Sequence, residues 1–221
     1  MIRTLMEKHE LLSMLKKQLN SFYFLNDKEN ECLNLFYDNV IDRMDKCLNG
    51  FKNAKYNNTN DTNGNQTCIF NPLNTCHYTI FLYFYANTLY RSRTCIESTQ
   101  ICDKLYGLCK TLSGADLFYE VNLPDIFFVD HPVGSVMARA QYGNYFSFIH
   151  GCTVGNNHGI YPVIGEHVKM YSDSKIVGNC HIGNNVILSA NSYVKDTDIP
   201  DNTIVFGQSP NLILKENKNL L

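Results

Sequence analysis

The stretch PVIGEHVKMYSDSKIVGNCHIGNNVILSANSYVK, which spans residues 162–195, carries an apolar residue at every sixth position. An α-helix does not produce this period, because its apolar stripe recurs every three to four residues. A six-residue period instead fits short strands separated by tight turns, with one apolar residue of each repeat pointing inward. The apolar positions of this set are Ile164, Met170, Ile176, Ile182, Leu188 and Val194.

Two further sets upstream share the period but are offset, by one extra residue after Val129 and by four after Val154. Residues that favour tight turns fall between repeats, as in Gly178-Asn179. We expect three repeats to form one triangular coil of a parallel β-helix, with coils stacked about 4.8 Å apart. The alternative is a β-sandwich with accidental spacing. The upstream sets are Leu117, Leu123 and Val129, then Val136, Tyr142, Phe148 and Val154.

The first half of the chain has a different pattern of apolar residues. Residues 1–112 show helical periodicity, so we expect a helical domain there and a β-helix domain over residues 113–221. Asn49-Gly50 is expected to end one helix, and an Asn-rich segment, residues 53–67, is expected to form a loop or an elaborate turn. Another helical region is expected to follow Asn71-Pro72.

Composition narrows the function classes. The 221 residues include 19 Lys and Arg against 21 Asp and Glu, a net charge of −2, and a non-specific nucleic-acid binder needs a basic face instead. The longest strongly apolar stretch, residues 78–90, is interrupted by polar residues and is shorter than the ~20 residues that span a bilayer. The first ten residues lack the apolar core of a signal peptide. We therefore expect a cytoplasmic protein.

Nine cysteines, an odd number without a C-x-x-C pair, indicate reduced and buried thiols rather than disulfides or a zinc cluster. A zinc site built from histidines needs closely spaced ligands, and His150 and His158 are eight residues apart across an irregular segment. We expect no metal.

Several segments resemble serine O-acetyltransferases, namely residues 114–117, 129–134, 152–155 and 162–165. The tail, residues 194–210, resembles the end of hexapeptide-repeat acyltransferases in general, whereas the helical half matches mainly in layout. The chain is identified by this resemblance as a serine O-acetyltransferase-like member of the hexapeptide-repeat superfamily. The resemblance implies an α+β protein, in which an N-terminal helical domain precedes a left-handed parallel β-helix.

Acetyl transfer from a thioester to an alcohol needs a base that takes the hydroxyl proton, and a histidine oriented by a carboxylate suits this task. His131 and Asp116 are fifteen residues apart, close to one coil, so they can lie on neighbouring coils. The resemblance assigns them the roles of base and orienting carboxylate, and it places Asp130 at a polar group of the acceptor. His150 follows an inward position by two residues and could face the same cleft.

The expected acceptor site departs from the family. Serine acetyltransferases carry an Arg-His pair before the proline that opens the regular coils, and Ile160 and Tyr161 stand there instead. The aspartate of a family Asp-Pro pair appears as Asn71. We expect Tyr161, Asn71 and His158, which lies in an inserted loop at residues 155–161, to contact the acceptor. A serine acceptor would lose two charged hydrogen-bond partners that the family provides. Serine and a sugar hydroxyl therefore both stay open as acceptors.

The resemblance also implies acetyl-CoA as donor, bound in a groove between adjacent β-helices, and hence a homotrimer or a dimer of trimers. Small residues let the pantetheine arm approach the backbone, and a terminal lysine can meet the nucleotide phosphates. The matched positions are Gly155, Ser172, Ser189, Ala190, Gly207 and Lys215.

Three functions remain open at this point. The first is an acetyl-CoA-dependent O-acetyltransferase that acts on serine or a serine-like small acceptor. The second is the same chemistry on a sugar or a surface-polysaccharide precursor. The third is a non-catalytic β-helix that serves as an interaction module.

Overall fold

A computed structural model describes most of the chain, which divides into two compact units, Met1–Ser113 and Gly114–Leu221. Four helices belong to the first unit and a parallel β-helix forms the second, so the predicted fold class is confirmed. In the described residues, no helix is long and apolar enough to cross a membrane. Those residues are 2–51, 58–60, 66–93 and 98–219.

Amphipathic helices build the first unit. A capping box between Glu7 and Glu10 starts the first helix, and the Asn74 side chain caps the third by accepting the N–H groups of Cys76 and His77. The third helix is buried over most of its length and carries the aromatic core of the unit. The helices are α1 (Lys8–Phe22), α2 (Asp27–Phe51), α3 (Thr75–Ser92) and α4 (Ser98–Ser113).

A small sheet of three strands completes the first unit: β1 (Arg3–Thr4), β2 (Asn58–Asn60) and β3 (Gln66–Phe70). The loop predicted for residues 53–67 is wrong where β2 pairs with β3, and the rest of that segment lies outside the described residues.

The helix end predicted at Asn49-Gly50 agrees with α2, which ends at Phe51, one residue later. The Asn49 side chain accepts the N–H of Cys68 in β3 at 2.9 Å and so ties the end of α2 to the small sheet.

The second unit winds through three faces in turn, and each face is a ladder of parallel strands. Face 1 contains β4 (Phe127–Val129), β7 (Phe146–Phe148), β10 (Lys169–Met170), β13 (Ile187–Leu188) and the start of β15 (Thr203–Gln208). Face 2 contains β5 (Val136–Met137), β8 (Thr153–Gly155), β11 (Lys175–Val177) and β14 (Tyr193–Lys195), and it receives the end of β15. Face 3 contains β6 (Gln141–Tyr142), β9 (Val163–Ile164) and β12 (His181–Ile182). A last strand, β16 (Asn211–Glu216), pairs antiparallel with β15.

The six-residue repeat sets the inward positions. All six apolar positions of residues 164–194 are buried, as predicted. The prediction that Val136 points inward is wrong: Val136 is exposed and the buried Met137 stacks beneath Val154. The step from Val129 to Met137 is two residues longer than the six-residue repeat, one more than the offset predicted from the sequence, and a shift of one residue turns each strand side chain to the opposite side.

Candidate active site

One edge of the β-helix, which we call corner 1–2, joins face 1 to face 2. The pairing of face 1 is in register from Val129 through four coils to Val205. Residues that lie equally far beyond these pairs share this corner, and on the three middle coils they occupy equivalent positions. The first coil holds two residues more before face 2, so His131 lies in an extended turn, and the last coil holds two fewer. The second positions beyond the pairs are His131, His150, Ser172, Ala190 and Gly207, and the first positions include Asp130 and Ser189.

His131 lies at one end of corner 1–2, and its side chain is exposed to solvent. Its imidazole is 79% exposed, and its Nε2 atom lies 3.5 Å from Oδ1 of Asp130. The backbone at His131 has a φ of 48°, which turns the chain sharply before the buried Pro132. An accessible imidazole beside a carboxylate has the groups that general-base chemistry needs.

Asp116 lies on the coil below, as the spacing predicts. Its backbone bridges Val136, with its N–H bonded to the Ser135 carbonyl at 2.8 Å and its own carbonyl accepting the Met137 N–H at 3.1 Å. The ion pair that the structure shows for His131 involves Asp130. Sequence spacing pointed to Asp116 alone as the orienting carboxylate, and it missed this second candidate, which is the immediate neighbour of His131.

Four of the predicted donor residues fall on corner 1–2: Ser172, Ser189, Ala190 and Gly207. Four coil spacings separate His131 from Gly207, about 19 Å at the usual strand spacing. Beside this corner, face 2 carries a groove of about 390 Å³. The groove is lined by Asp173, Lys175, Val177, Asn191, Tyr193 and Gln208.

Lys215 lies at the far end of the same corner. It is in β16 opposite Ile204, and its Nζ atom is 5.2 Å from the centre of the Phe206 ring. Gly155 does not join this line, because it ends β8 opposite Val177, at the other edge of face 2.

That other edge, corner 2–3, joins face 2 to face 3 and carries the inserted loop. Asn157 and Ile160 exchange two backbone hydrogen bonds, at 3.1 and 3.0 Å, around His158 and Gly159. Both central residues have positive φ, 50° and 81°, which is the geometry of a type I′ turn. The Asn157 side chain donates to the Asp196 carboxylate at 2.5 Å and fixes the base of the loop. His158, Ile160 and Tyr161 are exposed.

The predicted acceptor residues are therefore divided. Asp130 lies on corner 1–2, whereas His158 and Tyr161 lie on corner 2–3, and the width of face 2 separates the two corners. Asn71 belongs to the helical unit, where its side chain accepts the N–H of Leu73 at 2.9 Å in the turn before α3. Within one chain, the β-helix residues predicted to contact the acceptor do not converge.

A second His–Asp pair lies on face 3, beside a groove of about 420 Å³. Nδ1 of His181 is 3.2 Å from Oδ1 of Asp198, and the same oxygen accepts the His181 backbone N–H at 2.8 Å. These bonds hold the pKa of the Asp198 carboxyl below its usual value. Both side chains are well exposed. Nowhere in the described residues do three or more His, Cys, Asp or Glu side chains form a group that could hold a metal ion.

Comparison with known proteins shows which proteins this chain resembles. The family profile described as bacterial transferase hexapeptide (six repeats) matches residues 161–196. A serine acetyltransferase of Staphylococcus epidermidis is 24% identical over 159 residues, which cover 65% of this chain and 67% of that protein. A serine acetyltransferase of Synechococcus elongatus is 30% identical over 108 residues, which cover 47% of this chain and 44% of that protein.

The chain is therefore similar to serine acetyltransferases, and a hexapeptide-repeat profile matches part of its β-helix. The crystal structure of Neisseria gonorrhoeae serine acetyltransferase superimposes on this chain with a TM-score of 0.65 at 20% identity, covering 86% of this chain and 72% of that one. The same enzyme in complex with serine gives 0.52 at 27% identity, covering 60% and 54%. A serine acetyltransferase in complex with CoA gives 0.64 at 17% identity, covering 93% and 83%.

Proposed function

We propose that this protein is an acetyl-CoA-dependent O-acetyltransferase that acetylates the hydroxyl of serine or a serine-like small acceptor. One observation carries the proposal. An exposed histidine, His131, stands beside a carboxylate at one end of a corner whose successive coils present Ser172, Ala190 and Gly207. The likeness to serine acetyltransferases, including structures with serine and with CoA, supports the same activity.

Corner 1–2 carries the groups that the reaction needs, a binding surface for the donor and a base. The small side chains of corner 1–2 leave room for an extended pantetheine arm against the backbone, and Lys215 meets the phosphates at the far end. The acetyl thioester then lies near His131. A neutral His131 imidazole takes the proton of the acceptor hydroxyl as its oxygen attacks the acetyl carbon.

Collapse of the tetrahedral intermediate breaks the carbon–sulfur bond and releases CoA, and the imidazolium returns the proton to the thiolate. A carboxylate beside the ring stabilises the imidazolium while it exists. Asp116 from the coil below and the adjacent Asp130 are the two carboxylates offered for this role, and Asp130 also lies where the acceptor's polar group would bind.

We propose a homotrimer in which corner 1–2 of one β-helix faces corner 2–3 of the next. The division of the acceptor residues between two corners of one chain supports this arrangement, because an adjacent copy brings His158 and Tyr161 to His131. A dimer of trimers through the helical unit is an extension of the same proposal. The eight cysteines in the part of the chain that the structure describes are free and buried, and this favours the cytoplasm as the compartment.

The loop favours a second candidate acceptor, a sugar hydroxyl. Its exposed Ile160 and Tyr161 present an apolar surface and a neutral ring where a charged amino acid would find no partner within the loop. A sugar acceptor would use the same donor corner and the same base.

A thiol-release assay with acetyl-CoA and a panel of amino acids and sugars tests the proposal. We expect CoA release with L-serine to exceed release with every sugar. Turnover that is confined to sugars moves the acceptor to the second candidate. The absence of turnover with the whole panel, in protein that light scattering shows to be trimeric, rejects the enzyme and leaves a non-catalytic interaction module.

A further inference from the structure

A single guanidinium lies on the β-helix. Arg139 is the only arginine among residues 114–221. The other side chains there that are positively charged at neutral pH are lysines. An arginine fork is the side chain best suited to bind a carboxylate, because it offers two parallel N–H donors. The position of Arg139 therefore indicates where a carboxylate-bearing acceptor would bind.

The register places Arg139 on corner 2–3, directly below the loop. Met137 pairs with Val154, and the Ala138 N–H donates to the Val154 carbonyl at 3.0 Å. Arg139 and Asn156 are each two residues beyond that pair, so both lie where their coils enter corner 2–3. Asn156 belongs to the loop itself, where its side chain accepts the Gly159 N–H at 3.2 Å.

The guanidinium of Arg139 is held in place but is not saturated. Its Nη2 atom donates to Oε2 of Glu120 at 2.6 Å, and its carbon lies 5.9 Å from the centre of the Phe118 ring. The side chain is 56% exposed. In the described part of the chain the remaining guanidinium nitrogens form no hydrogen bond, so donors remain for a carboxylate from solution.

We propose that Arg139 binds the carboxylate of the acceptor and makes the enzyme selective for amino-acid-like acceptors over neutral hydroxyl compounds. The inference rests on the proposed acetyl transfer and deepens it. The loop residues 155–161 contain no lysine or arginine. Arg139 is the guanidinium at this corner, on the coil below the loop, and Lys195 is a point charge at the same edge two coils above it. His131 of the adjacent β-helix would then face the hydroxyl of the same bound acceptor.

The experiment compares L-serine with L-serinamide, which keeps the hydroxyl and the amine but replaces the carboxylate by a neutral amide. Thiol release is measured with the full-length protein and its Arg139→Gln variant. We expect Arg139→Gln to raise the KM for L-serine about 10- to 100-fold, the range for one charge-assisted hydrogen bond. The KM values for L-serinamide and for acetyl-CoA are expected to stay the same.

Two further variants separate binding from structure. Glu120→Gln removes the ion pair but keeps the guanidinium, so we expect its KM for L-serine to equal or fall below that of the unmodified protein. Arg139→Lys keeps a point charge and is expected to lie between the unmodified protein and Arg139→Gln. Equal losses in Glu120→Gln and Arg139→Gln would show that the pair only supports the coil, and would overturn the inference.

The remaining outcomes distinguish this inference from the function on which it rests. Unmodified protein that acetylates L-serine, with no change in Arg139→Gln, overturns the role of Arg139 and leaves the acetyl transfer intact. Unmodified protein that acetylates L-serinamide as well as L-serine, or sugars alone, also overturns it. Unmodified protein that is inactive on every acceptor rejects the proposed function and, with it, the inference.

Discussion

The two corners at the edges of face 2 differ in regularity. Corner 1–2 runs from His131 to Gly207; its three middle coils carry one residue at each equivalent position, and the second positions of its later coils have small side chains. Corner 2–3 is interrupted by the type I′ turn at His158 and Gly159 and carries Arg139 one coil below. The regular edge suits a long extended ligand, whereas the interrupted edge presents side chains that can select a small one.

The physical origin of the difference lies in the turns. A ligand that lies along stacked backbone tolerates only small side chains, which Ser172, Ala190 and Gly207 provide. A protruding loop needs an anchor, which the hydrogen bond from Asn157 to Asp196 provides. We therefore expect changes on corner 1–2 to affect chemistry and donor binding, and changes on corner 2–3 to affect the choice of acceptor.

The largest expected effect comes from His131→Ala. Removing the base is expected to lower turnover by roughly 10²- to 10⁴-fold, the usual contribution of a positioned general base. The affinity for acetyl-CoA is expected to remain, because the donor contacts lie on later coils. The measurement is turnover and CoA affinity of the purified variant.

His150→Ala is the matched control for this prediction, since His150 lies on the same corner of the next coil. We expect it to retain most of the turnover. Near-normal turnover in His131→Ala together with lost turnover in His150→Ala would show that His150, and not His131, is the base. Asp116→Asn and Asp130→Asn, measured alongside, show which carboxylate orients the ring, because that variant lowers kcat more than it changes KM.

A smaller effect is expected from a bulky residue on the donor path. Ala190→Leu places a branched side chain where the pantetheine arm would contact the backbone, and the KM for acetyl-CoA is expected to rise about 10- to 100-fold through misplacement of the thioester. His181→Leu adds the same side chain beside the groove on face 3 and serves as the control. A rise in KM for His181→Leu and none for Ala190→Leu would move the donor to face 3.

The smallest effect concerns the loop on corner 2–3. Ile160→Arg combined with Tyr161→His introduces a second cation for an acceptor carboxylate, and we expect the kcat/KM for L-serine to rise about fivefold, a net hydrogen-bond contribution near 1 kcal/mol. The neutral pair Ile160→Gln with Tyr161→Asn is the control. An equal gain in the control, or a gain on sugars alone, would argue that this loop does not face an amino acid.

Much of this architecture could be read from the sequence, because a six-residue period has few structural solutions. The positions from Ile164 to Val194 are inward as predicted. The register at Val136 could not be read, since the length of the turn after β4 depends on how that turn folds. The end of α2 near Asn49-Gly50 could be read from the sequence, whereas the hydrogen bond from the Cys68 N–H to the Asn49 side chain joins distant parts of the chain and could not.

The candidate site was only partly visible for a related reason. His131 and the small donor residues emerged from their spacing and the resemblance, and the register then aligned most of them. The division of the acceptor residues between two corners depends on which edge each turn occupies, which spacing alone does not give. Arg139 was overlooked because it lies far in sequence from the loop that it underlies in space.

The central claim is that the acetyl donor lies along corner 1–2 and ends at His131. A crystal structure of this protein with CoA tests it directly. We predict that the CoA thiol lies within hydrogen-bonding distance of the His131 imidazole, that the pantetheine arm passes Ser172 and Ala190, and that the nucleotide phosphates lie near Lys215. A CoA molecule bound in the groove on face 3, beside His181 and Asp198, would contradict the account.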